Sequence, residues 1–267
     1  MGEMSGTTGI RFAFGTLTVL PVRVTRWDRD AARAGMLCAP LAGLVVGLAA
    51  AAAGALLLLL GSGPQLAAVA TVAVPAVLTR GLHLDGLADT ADGLGSAKPA
   101  EDALHIMKRS DIGPFGVITL LFVLLAQIAA VAELYGESWA HGALAAVLSG
   151  VTARLALTLA SRTGVPAARP EGLGAAVAET VPVRTALAVT ALVTAVCAGA
   201  GALPYAGGAG SAAWGAAQYA LAVLAGIVAA QLLLRHCVRR FGGVTGDVFG
   251  ALAETAATVS LAALVLG

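Results

Sequence analysis

Apolar positions along this chain do not alternate with polar ones. They gather into long runs at about 35–60, 64–80, 113–134, 141–161, 185–203, 213–235 and 246–266. Each approaches the roughly 20 residues that a helix needs to cross ~30 Å of hydrocarbon. No period of two persists, so spanning strands are not expected. The run at 64–80 is the shortest and contains Pro75. Ahead of the first run, residues 7–20 are only modestly apolar and are followed by Pro21. That pattern suits a helix lying in the membrane interface and then a break. The expected fold is all-α: a polytopic membrane helix bundle of about seven transmembrane helices with a short N-terminal interfacial helix. One domain over 1–267 is expected, with 1–34 as a cytoplasmic or interfacial segment and 35–267 as the bundle.

Composition agrees with this class. Apolar residues make up 58% of the chain and charged ones 12%, about half the ~25% of a soluble domain. Mean hydropathy is +0.89. These values exclude an ordinary soluble enzyme, a disordered chain and a nucleic-acid binder with a basic face. The chain also holds 34 glycines. Together with the alanines inside the runs, they predict helices packed at close range. Cys38, Cys197 and Cys237 form no CxxC pair, and Cys38 and Cys197 read as small hydrophobes in apolar runs. The opening 34 residues hold Arg11, Arg23, Arg26, Arg29 and Arg33 without a long apolar core, so they do not read as a signal peptide.

Charge placement gives an orientation. All 16 basic residues fall in 1–34, 80–109, 154–184 and 235–240, and none in the connections near 61–63, 135–140 and 204–212. With seven spans, the four basic places share one side. The positive-inside rule makes that side cytoplasmic, with the N-terminus on it and the C-terminus opposite. The expected location is therefore the cytoplasmic membrane, the inner membrane of a cell that has two.

Two short segments carry candidate chemistry. Residues 83–93 read HLDGLADTADG. Asp85, Asp89 and Asp92 are spaced i, i+4, i+7, which places three carboxylates on one helix face, with His83 just before them. Like charges this close repel, and a divalent cation would relieve them; an all-oxygen donor set suits Mg²⁺ or Mn²⁺ better than Zn²⁺. The plain alternative is a solvated acidic helix end neutralised by Lys108 and Arg109. Residues 242–254 read GGVTGDVFGALAE. Asp247 and Glu254 are again seven apart, so Glu254 should lie about two turns inside the last span, where a lone carboxylate is costly. Gly242, Gly243, Thr245 and Gly246 precede the helix start, where backbone N–H groups can cradle a diphosphate; a flexible linker is the other reading. No GxxxxGK[ST] loop is present.

With seven spans both segments face the basic side, so four aspartates and a glutamate could converge there for metal-assisted phosphoryl transfer. Softer features are Lys108 and Arg109, which either meet phosphate oxygens or anchor to anionic membrane lipid. Arg169 and Glu171, on the turn ARPEGLG at 168–174, could reach the same site. Arg154, two turns inside the fourth run, either snorkels or pairs with a buried carboxylate.

The chain resembles the cobalamin synthase family, the adenosylcobinamide-GDP ribazoletransferases. The matching pieces are LTVLPV at 17–22, GLHLDGLADTADG at 81–93, IMKRSDIGPFG at 106–116, EGLG at 171–174 and GGVTGDVFGALAE at 242–254. The resemblance implies that the cobinamide phosphate of adenosylcobinamide-GDP passes to α-ribazole or its 5′-phosphate, releasing GMP and forming adenosylcobalamin or its phosphate. It implies Mg²⁺ as cofactor, with Mn²⁺ as an alternative. Carried over by position, Asp85, Asp89 and Asp92 would bind metal, Asp247 would complete the set or hold a second ion, and Glu254 would support it. Asp85 and Asp89 would be catalytic, and His83 either a base or a supporting partner. Lys108, Ser110, Arg169, Glu171 and the 242–246 turn would contact substrate. Two positions depart from the family pattern. The order Lys108-Arg109-Ser110-Asp111 exchanges acidic and basic positions, and Ala257 stands where a second glutamate is usual. The alternatives are a CDP-alcohol phosphotransferase, whose full motif is absent here, and a transporter. No oligomeric state is implied.

Overall fold

The computed structural model describes residues 6–205 and 209–266. The first residues of the N-terminal segment, part of the 204–212 connection and the last residue lie outside these. Among the described residues there are eleven α-helices and no strand. Six helices are long and apolar enough to cross a membrane. They are α2 (Arg29–Leu59), α6 (Pro114–Glu137), α7 (Trp139–Ala160), α9 (Val183–Ala202), α10 (Ala209–Phe241) and α11 (Gly246–Val265). The seventh expected span is α3 (Pro64–Leu78), which passes only together with α4 (Leu82–Gly95), bent from it by 88°. Shorter helices are α1 (Gly6–Leu17), α5 (Ala100–Ile106) and α8 (Gly172–Val177). This is the expected all-α membrane bundle.

The helix α7 is the hub. Nearly every residue from Leu148 to Ala160 is buried, as a helix apolar on all sides must be. It packs on α2, α6, α9, α10 and α11. Its crossing with α2 is set by Gly43, Gly47 and Gly150, where added Cβ atoms would strike the opposing backbone. The outer faces of α6 and α9 leave Leu121, Phe122, Leu125, Leu192 and Val196 exposed, as lipid-facing surfaces do.

Helix boundaries follow local chemistry. α2 starts six residues before its apolar run because the Asp28 side chain caps it, accepting from the Ala31 N–H at 3.0 Å. α10 continues past its run through Arg239 and Arg240, cations that suit a helix C-terminus. Between α3 and α4, Arg80 and Gly81 both have positive φ, 53° and 70°. That left-handed turn ends α3 and swings α4 aside, so the 83–93 segment becomes a separate helix against α11 and α6.

Candidate active site

The segments that carry basic residues meet at one end of the bundle. Arg29 donates to the Ala178 carbonyl at 3.0 Å, Arg240 to that of Lys98 and Arg169 to that of Leu104. One parallel bridge, between Ala167 and Val244, lashes two of the connections together through two hydrogen bonds, Ala168 N–H to Val244 O and Val244 N–H to Pro166 O, both 2.9 Å. Gly243 permits this, since a Cβ there would collide with the Pro166–Ala168 backbone. Gly174 likewise lets α8 reach Thr245. The glycine-rich turn is therefore packed, with Gly242 at φ +81° and Gly246 open to its surroundings. Thr245 caps α11: its hydroxyl accepts from Val248 N–H at 3.3 Å and donates to Asp247 Oδ2 at 3.1 Å.

Two glycines bring the acidic segments together. A Cβ on Gly86 would come within 2.6 Å of the Asp247 carbonyl oxygen, and one on Gly250 within 2.9 Å of the His83 carbonyl oxygen. α4 and α11 therefore cross almost backbone to backbone. Asp85 is exposed, while Asp89 and Asp247 are half-buried. Asp89 loses water by burial and also meets the like charges of Asp85, Asp247 and Asp92, with Arg169 opposing them. Arg169 acts on Asp247 in the same way. The offsetting cation is thus Arg169, not Lys108 or Arg109. Lys108 pairs with Glu171 at 3.1 Å. Arg109 forms two bonds of 2.9 Å to Asp111 and holds that carboxyl below the usual carboxylate range. Ser110 is exposed beside them.

Asp92 and Glu254 stand apart from this set. Asp92 is 6% exposed and accepts from the N–H of Gly113 at 2.7 Å and of Gly116 at 2.9 Å. It holds the start of α6, where the helix dipole favours a carboxylate. Cβ atoms on Gly113 or Gly116 would strike it. Asp92→Ala should therefore cost about 2 kcal/mol of stability, read as a lower unfolding midpoint in detergent. Glu254 accepts from Gln127 Nε2 at 2.9 Å and feels the Arg154 charge. Gln127 escaped the sequence reading; a single amide inside an apolar run was its signal. Gly86 and Gly250 were visible only as letters of the motifs, because close approach between remote helices leaves no local trace.

His83 is 3% exposed. Its Nε2 has no hydrogen-bond partner, and its ring borders a cavity shared with Asp85 and Asp247. Gly86→Ala should push α4 off α11. The expected result is a loss of about 1–3 kcal/mol in stability and a larger loss in turnover, measured side by side on the purified protein.

A model described as cobalamin-5-phosphate synthase matches residues 9–265. This chain belongs to the cobalamin-5-phosphate synthase family. Among curated relatives, an adenosylcobinamide-GDP ribazoletransferase of Frankia casuarinae is 44% identical over 94% of this chain and 92% of its own. One of a Nocardioides species is 41% identical over 95% and 96%. One of Brevibacillus brevis is 31% identical, again over 95% and 96%. No solved structure matches the chain. As a member of the cobalamin-5-phosphate synthase family it is a membrane transferase of cobalamin synthesis. Its acidic segments on α4 and α11 fall within the matched range.

Proposed function

We propose that this protein transfers the cobinamide phosphate of adenosylcobinamide-GDP to a hydroxyl of α-ribazole or its 5′-phosphate, releasing GMP. The observation that carries the reading is the junction of α4 and α11. Carboxylates from two remote segments adjoin there, beside a cavity of about 620 Å³ that Asp85 borders.

Among the described residues, no three carboxylate, imidazole or thiol groups lie close enough together to hold one ion as they stand. What fits a cation is the chemistry of the donors: three aspartates, all oxygen, repelling one another with only Arg169 against them. Asp85, Asp89 and Asp247 would hold Mg²⁺ or Mn²⁺, with Asp92 fixing the far end of α4. The ion would draw charge from the diphosphate and from the leaving GMP.

The protein's own groups do the rest. Arg169, whose charge acts on Asp89 and Asp247, borders a cavity together with Lys108, where both cations can meet phosphate oxygens. The acceptor oxygen attacks the phosphorus that carries cobinamide. The bond from that phosphorus to the GMP oxygen breaks, and its electron pair leaves with GMP. The hydroxyl proton passes to an Asp89 carboxylate oxygen not engaged with the ion, and from there to solvent. Such transfers depend on positioning and charge neutralisation more than on covalent chemistry.

The site's orientation is cytoplasmic. Support comes from the gathering of the basic connections at the same bundle end as the aspartates. The test is GMP release by purified protein from adenosylcobinamide-GDP with α-ribazole, with and without Mg²⁺ or Mn²⁺. Release that needs both acceptor and metal is expected. No release under any divalent ion would overturn the reading, and turnover of a CDP-alcohol instead would assign the site to that donor.

A further inference from the structure

Two cavities meet at Asp85. The larger, about 620 Å³, has mixed walls that include Thr16, Thr18, Thr79 and Arg80. The smaller, about 100 Å³, runs inward and is walled by Leu17, Met36, Leu157, Val177 and Phe249. Asp85, Leu82 and Leu173 border both; Asp247 and His83 border the smaller one. A transfer between two substrates needs two pockets opening on one set of reacting groups. These two do so, and they differ in size and polarity.

We propose that the smaller cavity holds the flat heteroaromatic base of the acceptor nucleoside, so that its lining selects the acceptor. The assignment rests on the transfer reaction above. Size excludes the donor's corrinoid ring, which is several times larger than the space. Chemistry favours a benzimidazole, the base of ribazole: apolar side chains from α1, α2, α7, α8 and α11 enclose it, as apolar pockets enclose planar ligands. Met36 and Leu157 are 2% and 1% exposed, so this wall is shielded from bulk water. His83 is the polar ring among the residues that line it. Position completes the fit. With the base inside, the attached ribose extends toward Asp85, which both cavities share, where an attacking hydroxyl has to be.

Pairing a protein change with a ligand change tests this. The wild type is expected to use α-ribazole at least about tenfold better than a riboside with a wider, naphthimidazole base. Met36→Ala should erase most of that preference, while the KM for adenosylcobinamide-GDP stays within about twofold. Val177→Ala makes the same test with a smaller loss from the core, should Met36→Ala not fold. An unchanged preference in either folded variant overturns the proposal. Binding of α-ribazole without donor, read by the fluorescence of its benzimidazole, separates this from the reaction itself. Tight binding that Met36→Ala shifts toward the wider base upholds the pocket even if no GMP is released. GMP release with unshifted binding and preference sinks the pocket alone.

Discussion

Asp85→Asn is expected to lower GMP release by about 10³-fold or more while the protein stays folded in its membrane. The side chain is exposed, so exchanging one carboxylate oxygen for an amide removes no buried contact. Surface exchanges of this kind move stability by about 0.5 kcal/mol or less. What the exchange removes is charge at the one acidic position that borders both cavities. An amide binds hard cations weakly and cannot compensate Arg169. The unfolding midpoint of the variant should match the wild type, and binding of Mn²⁺, followed by its paramagnetic resonance signal, should weaken together with turnover. Full activity in a well-folded Asp85→Asn protein would show that the α4 face carries no metal. A variant that lost its fold instead would show that Asp85 serves packing, against its exposure.

That contrast with Asp92 explains how far the sequence could be read. The spacing of Asp85, Asp89 and Asp92 placed three carboxylates on one helix face, and the helix is there. Spacing does not say what lies opposite. For Asp92 it is the first turn of α6, whose free N–H groups take both oxygens. For Asp85 it is the two cavities, and for Asp89 the charge of Asp247. The bundle itself was legible because spanning a bilayer demands long apolar helices, and that demand is written locally in every run. The 88° bend before α4 was less so: it depends on a left-handed pair, Arg80 and Gly81, of which only the glycine hints at it. The contact of Gly86 with Asp247 joins positions more than 150 residues apart, and no local pattern encodes it.

Glu254 brings the same limit to its sharpest form. Its spacing from Asp247 suggested a second carboxylate for the site. The fold sends it deeper, to Gln127 and Thr258, which Gln127 joins through bonds of 2.9 Å. Arg154 lies across from it, 3% exposed, with Nε and Nη2 unpartnered. Between them is a space of about 40 Å³ bordered by Thr71, Gln127 and Ser149 as well. That is room for bridging water with the two to four polar contacts such water requires. The carboxylate and the guanidinium therefore compensate one another at a distance inside the bundle. Removing either partner should leave an uncompensated buried charge and cost about 3–5 kcal/mol. Removing both should cost much less, since a neutral pair needs no counter-charge. The measurement is a cycle of Arg154→Met, Glu254→Gln and the double variant, followed by thermal unfolding in detergent. The double variant should recover more than half of the larger single loss. Strict additivity of the two losses would show that the charges do not sense each other. Turnover in the double variant should return with stability, because neither side chain reaches the aspartates at the membrane edge; a stable double variant without activity would return Glu254 to the metal set.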